Sequence, residues 1–484
     1  MSTTRVLEIN NIDIYGRRFN GYSLMEYINA HPETNLHADF IVNHKLGTDH
    51  RVTPLFKNSA LETYDWQLDE IESHLNIKNQ ISISEDALVS HPLYRKADIL
   101  HFHMYHNSHF PIEFLTRIPP EKKIIIDIHD TFWLTDNNIP MLEVFKFADG
   151  PNKTALDSER RRVLNSIDAE FVVHSPYIMD LFKKSSITKN LNVRLINFGI
   201  RTDIYKPIKN TTSLRKKYHI PAENLVLMCR SQKEFKGIDY IISAIKLLHL
   251  SQPITLITVG VKGLCAELTN YCSVIDFGNI NSEHQLTELY NIADIFLAPS
   301  TEESFGFMAA EAMSCGKPVI VFEGTALPNT VNAPKVGLAT KKSPAALARA
   351  ITTLAKSPNE RLARGEKARA YVLKHYTETR YFSDYIQLMQ SLAKIKSRHV
   401  TSPSSAPPPK NLSNLSKFLS SSLEKSEHFD YNNIRVQESI KKYNSNLYKQ
   451  LLKQGSQPTP KNIIKKIIPN NIKLKLRTLK EKIK

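Results

Sequence analysis

Ala298-Pro-Ser-Thr-Glu-Glu-Ser-Phe-Gly-Phe-Met-Ala-Ala-Glu-Ala-Met-Ser-Cys-Gly-Lys-Pro-Val-Ile320 is the stretch on which the reading of this 484-residue chain turns. A short apolar strand, Ile295–Ala298, runs into a loop carrying Glu302 and Glu303. A helix then opens near Phe305 and runs to Ser314, and a second strand, Pro318–Phe322, follows. The free N–H groups and positive dipole end of such a helix favour an anion, such as the phosphates of a nucleotide. Gly306 lets backbone approach a ligand with no Cβ in the way. Glu303 precedes the helix and Glu311 lies inside it, so one carboxylate can hold sugar hydroxyls and the other those of a ribose. Taken alone, the pair also reads as a helix-start acid and a solvated helix residue.

Working outward, the same strand–helix rhythm extends in both directions. Leu225–Cys229, Ile254–Val259 and Val274–Phe277 read as strands, with helical spacing at Ile238–Leu248, His284–Asn291 and Tyr376–Lys394. Nearer the N-terminus, Val6–Ile12, Ala38–Val42, Ile99–His103, Ile124–Ile128, Phe171–His174 and Val193–Asn197 read as strands, with helices at Tyr22–Asn29 and Trp66–Leu75. Alternation of this kind means parallel sheets covered on both faces. The length exceeds what one core usually serves. The expected fold class is therefore α/β, two units of similar size spanning 1–205 and 206–395.

Three further segments place chemistry at strand ends, where open α/β sheets bind ligands. Met228-Cys-Arg-Ser-Gln-Lys-Glu-Phe-Lys-Gly237 follows a strand and precedes a helix, offering Arg230 as a planar fork and Lys236 as a point charge. Lys233 is close enough to compete with Lys236. Ile124-Ile-Ile-Asp-Ile-His-Asp-Thr-Phe-Trp-Leu-Thr135 puts His129 at the end of a strand. Asn10-Asn-Ile-Asp-Ile-Tyr-Gly-Arg-Arg-Phe-Asn-Gly21 is a strand, a glycine-bearing loop and the start of a helix.

The Glu303/Glu311 spacing, the preceding Pro-Ser and the trailing Glu-Ala-Met-x-Cys-Gly-x-Pro-Val-Ile resemble the E-x7-E motif of family 4 glycosyltransferases. Phe277-Gly278, Leu289–Asp294 and Ile196–Pro207 are similar to other segments of that family, although Arg201 stands where an Asp is usual. The likeness covers about residues 5–395 and is strongest from 225 to 325. It implies a GT-B fold, two Rossmann-like domains facing a cleft with the terminal helix of the second returning to the first, and retaining transfer of a sugar from a UDP- or GDP-linked donor to a glycan or lipid-linked acceptor. No metal or other cofactor is implied. Arg230 and Lys236 would neutralise the donor diphosphate, Glu311 would hold the ribose and Glu303 the transferred sugar, with Gly306 and Phe307 beside them. His129 would reach the reacting centre. Gly21 rather than Gly16 would approach the diphosphate, because it precedes the helix. The alternatives are a sugar-nucleotide epimerase or phosphorylase on the same fold, or a non-catalytic sugar-binding or membrane scaffold protein.

Composition bounds the rest. An apolar share of 41% and a charged share of 23% are ordinary for a globular protein. The four cysteines form no C-x-x-C pair, which fits a reducing compartment. No signal-like segment opens the chain and no apolar run approaches the length of a membrane span, so a cytoplasmic chain is expected. The net charge is +16, and residues 461–484 hold nine Lys or Arg against one Glu, half of that excess. A Ser/Pro-rich linker at 396–412 leads into this basic, amphipathic helical tail, 413–484. Cations and an aliphatic stripe coincide at Ile472–Ile483, which points to docking at the inner face of an anionic membrane. Nucleic acid is not expected, because the last 24 residues lack stacking aromatics. His101 and His103, with His106 and His109 nearby, invite a metal reading, but no carboxylate or Cys completes a ligand set at a recognisable spacing.

Overall fold

The computed structural model describes residues 3–13, 16–56, 62, 65, 84–136, 153–232 and 234–395. The helical spacing at Trp66–Leu75, Lys233, the linker and the basic tail lie outside them. Two all-parallel sheets organise the described chain. The first contains β1 (Thr4–Ile12), β2 (Leu36–His44), β3 (Val52–Pro54), β4 (Ile99–Phe102), β5 (Lys123–Ile128), β6 (Ala169–Val173) and β7 (Val193–Leu195), ordered β3-β2-β1-β4-β5-β6-β7. The second contains β8 (Leu225–Ser231), β9 (Ile254–Gly260), β10 (Ser273–Asp276), β11 (Ile295–Ala298), β12 (Val319–Phe322) and β13 (Leu338–Thr340), ordered β10-β9-β8-β11-β12-β13. Both orders are doubly wound. The direction of winding reverses between β1 and β4 in one sheet and between β8 and β11 in the other, and each reversal opens a crevice at the strands' carboxyl ends.

Burial follows from strand geometry. Successive side chains point to opposite faces, and here both faces are covered. In β8, Val226 and Met228 enter one apolar cluster while Leu225, Leu227 and Cys229 enter another. Val6 and Leu7 of β1 divide in the same way between the first of these clusters and a third. One of the three clusters is common to both halves of the chain. It runs from Val6 and Tyr22 through Phe198, Ile200 and Tyr205 to Val226, Phe305 and Tyr381.

The Glu378–Ala393 helix lies against the first sheet. Its Tyr385 hydroxyl donates to Asp127 Oδ1 at 2.7 Å, and Gln390 donates to the Thr34 carbonyl at 2.9 Å. Among the described residues no helix is long and apolar enough to cross a membrane.

Two loops at the carboxyl ends of β8 and β11 are locked together. The Thr301 N–H donates to the Phe235 carbonyl at 2.8 Å. Gly237 has φ +74°, and a Cβ there would lie 2.1 Å from the Pro299 carbonyl oxygen. Only glycine permits that approach.

Candidate active site

Helix capping singles out the same places as the strand order. The helices that begin after Ser175, Ser282, Ser343 and Thr377 have a side-chain oxygen accepting from the first turn. The three helices that follow β1, β8 and β11 instead begin after Gly21, Gly237 and Gly306, each with positive φ and no side-chain cap. At the two in the crevice of the second sheet the first N–H groups have no side-chain cap, whereas in the helix after Gly21 the Ser23 N–H donates to the Arg17 carbonyl at 3.0 Å.

At that crevice, Lys236 Nζ donates to Glu303 Oε2 at 2.6 Å, both side chains about four-fifths buried. Gly306 caps the Phe307–Ser314 helix at φ +96°, with the Glu303 side chain packed beside it. Arg230 is exposed, with Nε on Gln232 Oε1 at 3.2 Å and a guanidinium N–H on Met308 Sδ at 3.4 Å. It therefore stands over the first turn of the same helix. Lys236, Glu303, Gly306 and Arg230 form one patch at a helix start. The helix begins two residues later than expected from sequence, which puts Glu311 in its second turn.

Glu311 is only 2% exposed and both of its oxygens are engaged. Oε2 accepts from the Tyr290 hydroxyl at 2.9 Å, and Oε1 accepts from the Arg18 guanidinium at 2.7 Å. Burial first, and then the Glu311 charge, push the Tyr290 phenol well above its ordinary range. Burial alone would lower the Arg18 pKa, but Glu311 beside it raises the value.

Arg18 comes from the loop after β1, so the first half of the chain supplies the partner of a helix in the second. Its neighbour Phe19 does the same. Phe19 stacks on Phe307 with ring centroids 4.9 Å apart and also contacts Phe198 and His129. Sequence reasoning missed both residues. Their signal was the Arg-Arg-Phe stretch between Gly16 and Gly21.

His129 follows β5 and is 8% exposed, enclosed by Phe19, Phe198 and His174. Burial lowers its pKa, against a smaller opposing pull from Asp127. Gly21 lies against buried side chains: a Cβ there would meet His103 Nε2 at 2.6 Å and Glu8 Oε2 at 2.8 Å. Its lack of a side chain accommodates this pair.

Around His103 lies a set of buried charges that sequence reasoning did not assemble. His101 and His103 on β4 and just past its end meet Glu8 of β1 and Asp127 of β5. Burial alone would lower the His101 pKa, yet the two carboxylates raise it to about 10. Burial acts against ionisation of Asp127 too, but the histidines hold it well below the usual carboxylate range. The signal was one acid inside each of two apolar strands, Val6-Leu-Glu-Ile9 and Ile124-Ile-Ile-Asp-Ile128. The carboxylates absent from the local spacing come from neighbouring strands.

Residues 210–371 match the family described as "Glycosyl transferases group 1". These residues are a group 1 glycosyltransferase domain. The GDP-mannose-dependent alpha-(1-6)-phosphatidylinositol dimannoside mannosyltransferase of Mycobacterium tuberculosis is 26% identical over 239 residues, 48% of this chain and 59% of that protein. The chain thus spans little more than half the length of that relative. Its backbone follows sucrose-phosphate synthase from Thermosynechococcus elongatus over 81% of this chain and 99% of that one, at 17% identity and TM-score 0.60. It also follows the Anabaena protein HepE, solved with UDP and glucose, over 80% of this chain and 100% of that one, at 15% identity and TM-score 0.57. The architecture of the described chain, two parallel α/β sheets, is that of GT-B structures.

Proposed function

We propose that this chain is a retaining glycosyltransferase that moves a sugar from a nucleoside-diphosphate donor to a glycan or lipid-linked oligosaccharide in cell-surface polysaccharide assembly. One observation carries the reading. The Lys236–Glu303 pair and Arg230 stand at an uncapped helix start, on the two strands that flank the reversal of the second sheet.

In this reading the donor diphosphate replaces Glu303 as the partner of Lys236, and Arg230 closes on it from the solvent side. The two cations and the helix N–H groups then stabilise the charge that develops on the leaving diphosphate. Glu303, released from Lys236, accepts from hydroxyls of the transferred sugar. Glu311 takes the ribose once Arg18 swings away, and Phe19 leaves the Phe307 ring in the same movement, uncovering His129 beside the reacting centre. The loop between Gly16 and Gly21 is thus displaced as the donor enters. No metal or other cofactor enters this scheme. A UDP- or GDP-linked donor agrees with the uridine nucleotide held by HepE and with the GDP-mannose of the mycobacterial relative's name.

Product analysis tests the reading. With a matched donor and a glycan acceptor, the wild-type chain should yield nucleoside diphosphate and a glycoside of unchanged anomeric configuration. Glu303→Ala should lower that yield by about 10²-fold or more without unfolding the protein. Isomerised donor in the absence of acceptor, or undiminished transfer by the variant, would refute it.

The basic tail is assigned to an anionic leaflet, placing the enzyme in the cytoplasm at the inner face of the membrane. Removing residues 396–484 should shift the chain from the membrane to the soluble fraction. Full retention on membranes would remove the tail from the account.

A further inference from the structure

We infer that Arg18, which in this structure neutralises Glu311, is a third cation for the donor diphosphate and moves to it when the ribose takes Glu311. This rests on the transfer reading above, in which Arg18 leaves Glu311, and adds its destination.

Arg18 already flanks the helix start. Phe307 and Met308 are the first two residues of the Phe307–Ser314 helix after the uncapped Gly306. The Arg18 Cζ lies 5.4 Å from the Phe307 ring centroid, and an Arg230 N–H reaches Met308 Sδ at 3.4 Å. Successive helix residues are turned by about 100°, so the two guanidinium groups, one from each half of the chain, approach the first turn from different sides. The neighbouring Arg17 is directed elsewhere. Its Nε donates to the Asp13 carbonyl at 2.9 Å, its Cζ lies 4.3 Å over the Tyr22 ring, and its Nη1 is 3.6 Å from Asp49. Of this pair, Arg18 is the one that reaches the second half of the chain.

The resting contacts leave donors of Arg18 unused. Nη2 donates to Glu311 Oε1 at 2.7 Å, but Nη1 is buried with no hydrogen-bond partner among the described residues. Glu283 Oε1, 3.9 Å from Nη1, is beyond hydrogen-bond reach. A guanidinium is a planar fork of five N–H donors that matches two phosphate or carboxylate oxygens at once. Glu311 engages only one prong, because Tyr290 holds its other oxygen. A buried N–H left unpaired is costly, and diphosphate oxygens supply the acceptor that Glu311 does not.

The move is short and keeps charges paired. Glu311 lies four residues beyond Phe307, a rise of about 6 Å along the helix, which rotations of the long arginine side chain span. A neutral ribose that displaces Arg18 from Glu311 removes the counter-charge of a side chain only 26% exposed. A largely buried charge without a partner is strongly unfavourable. The diphosphate at the start of the same helix restores a partner, while Glu311 keeps the Tyr290 hydroxyl and gains those of the ribose.

The rival is a simple latch, in which Arg18 blocks Glu311 and then moves into solvent. Calorimetric titration of the full-length chain with uridine and UDP, and with guanosine and GDP, separates the two. The informative quantity is the ratio of the nucleoside Kd to the diphosphate Kd. Removing a block at Glu311 acts alike on both members of a pair, so the ratio reports contacts to the diphosphate. For the pair that the chain prefers, Arg18→Ala should lower this ratio about tenfold. Arg18→Met, which keeps an apolar stem on Phe307, gives the same readout if Arg18→Ala fails to fold. A fall of less than threefold in the folded variant overturns the assignment. Lys236→Ala, titrated alongside, should lower the ratio as well. A ratio that falls in Lys236→Ala but not in the Arg18 variants leaves the diphosphate site standing and removes Arg18 from it. A wild-type chain that binds neither diphosphate more tightly than its nucleoside overturns both.

Discussion

Lys236→Ala is expected to lower kcat/KM for sugar transfer by about 10²–10³, equivalent to roughly 3–4 kcal/mol of lost transition-state stabilisation. The ammonium lies 2.6 Å from Glu303, four-fifths buried, in a loop pinned by Gly237 against Pro299 and by the Thr301–Phe235 hydrogen bond. It is thus oriented before the donor arrives, which is what makes a fixed charge effective in catalysis. Because the pinning is done by backbone and glycine, the variant should retain its fold and its Tm within a few degrees. Steady-state kinetics with the preferred donor check the first part, and thermal denaturation checks the second. A variant within threefold of wild type would place the diphosphate elsewhere.

Glu8→Ala is expected to cost about 3–5 kcal/mol of stability, the largest effect anticipated for a residue outside the second sheet. Glu8 Oε2 lies 2.8 Å from His101 Nδ1 and 2.7 Å from His103 Nε2, and all three side chains have no exposure. Truncation would leave His101 with Asp127 as its one close carboxylate. It would also open a hole beneath Gly21. Urea denaturation of the two proteins, compared at equal m-value, measures the difference. A loss below about 1 kcal/mol would mean that the network is neutralised by other means. An isosteric Glu8→Gln keeps the packing and removes the charge, so the gap between the two variants isolates electrostatics.

The parts of this account differ in how visible they were from sequence. The β11–loop–helix segment was legible because its chemistry is local: a strand end, two acids and an uncapped helix start within fourteen residues of chain, 298–311. The long apolar strands were legible for the same reason. β3 and β13 were not, since three residues, one of them Pro54, are too few to show an alternation. The Pro358–His375 helix also escaped notice. It buries only Gly365, Ala368 and Val372 and is charged elsewhere, so it has no apolar stripe to detect.

What sequence reasoning could not supply was adjacency across the fold. Arg18 and Glu311 are 293 residues apart, and their contact depends on two loops from different sheets meeting. Glu8, His101 and Asp127 become neighbours only through the strand order β1-β4-β5. No carboxylate completes a ligand set with His101 and His103 at a recognisable spacing in the sequence, yet the sheet brings Glu8 and Asp127 beside them. Sequence alone assigns Gly21 to the ligand from its place before a helix; the fold adds that its missing side chain accommodates His103 and Glu8.

Binding of nucleotide sugars, followed as the change in Tm across a panel of UDP- and GDP-linked donors, tests the central claim most directly. That claim is that Lys236, Arg230, Glu303 and the uncapped helix start form a diphosphate site. The account predicts that one donor class raises Tm of the wild-type chain in proportion to the logarithm of its concentration above Kd, and that the rise is lost in Lys236→Ala and Arg230→Ala. A donor that stabilises wild type and both variants equally, or a panel in which none stabilises the wild type, would contradict it.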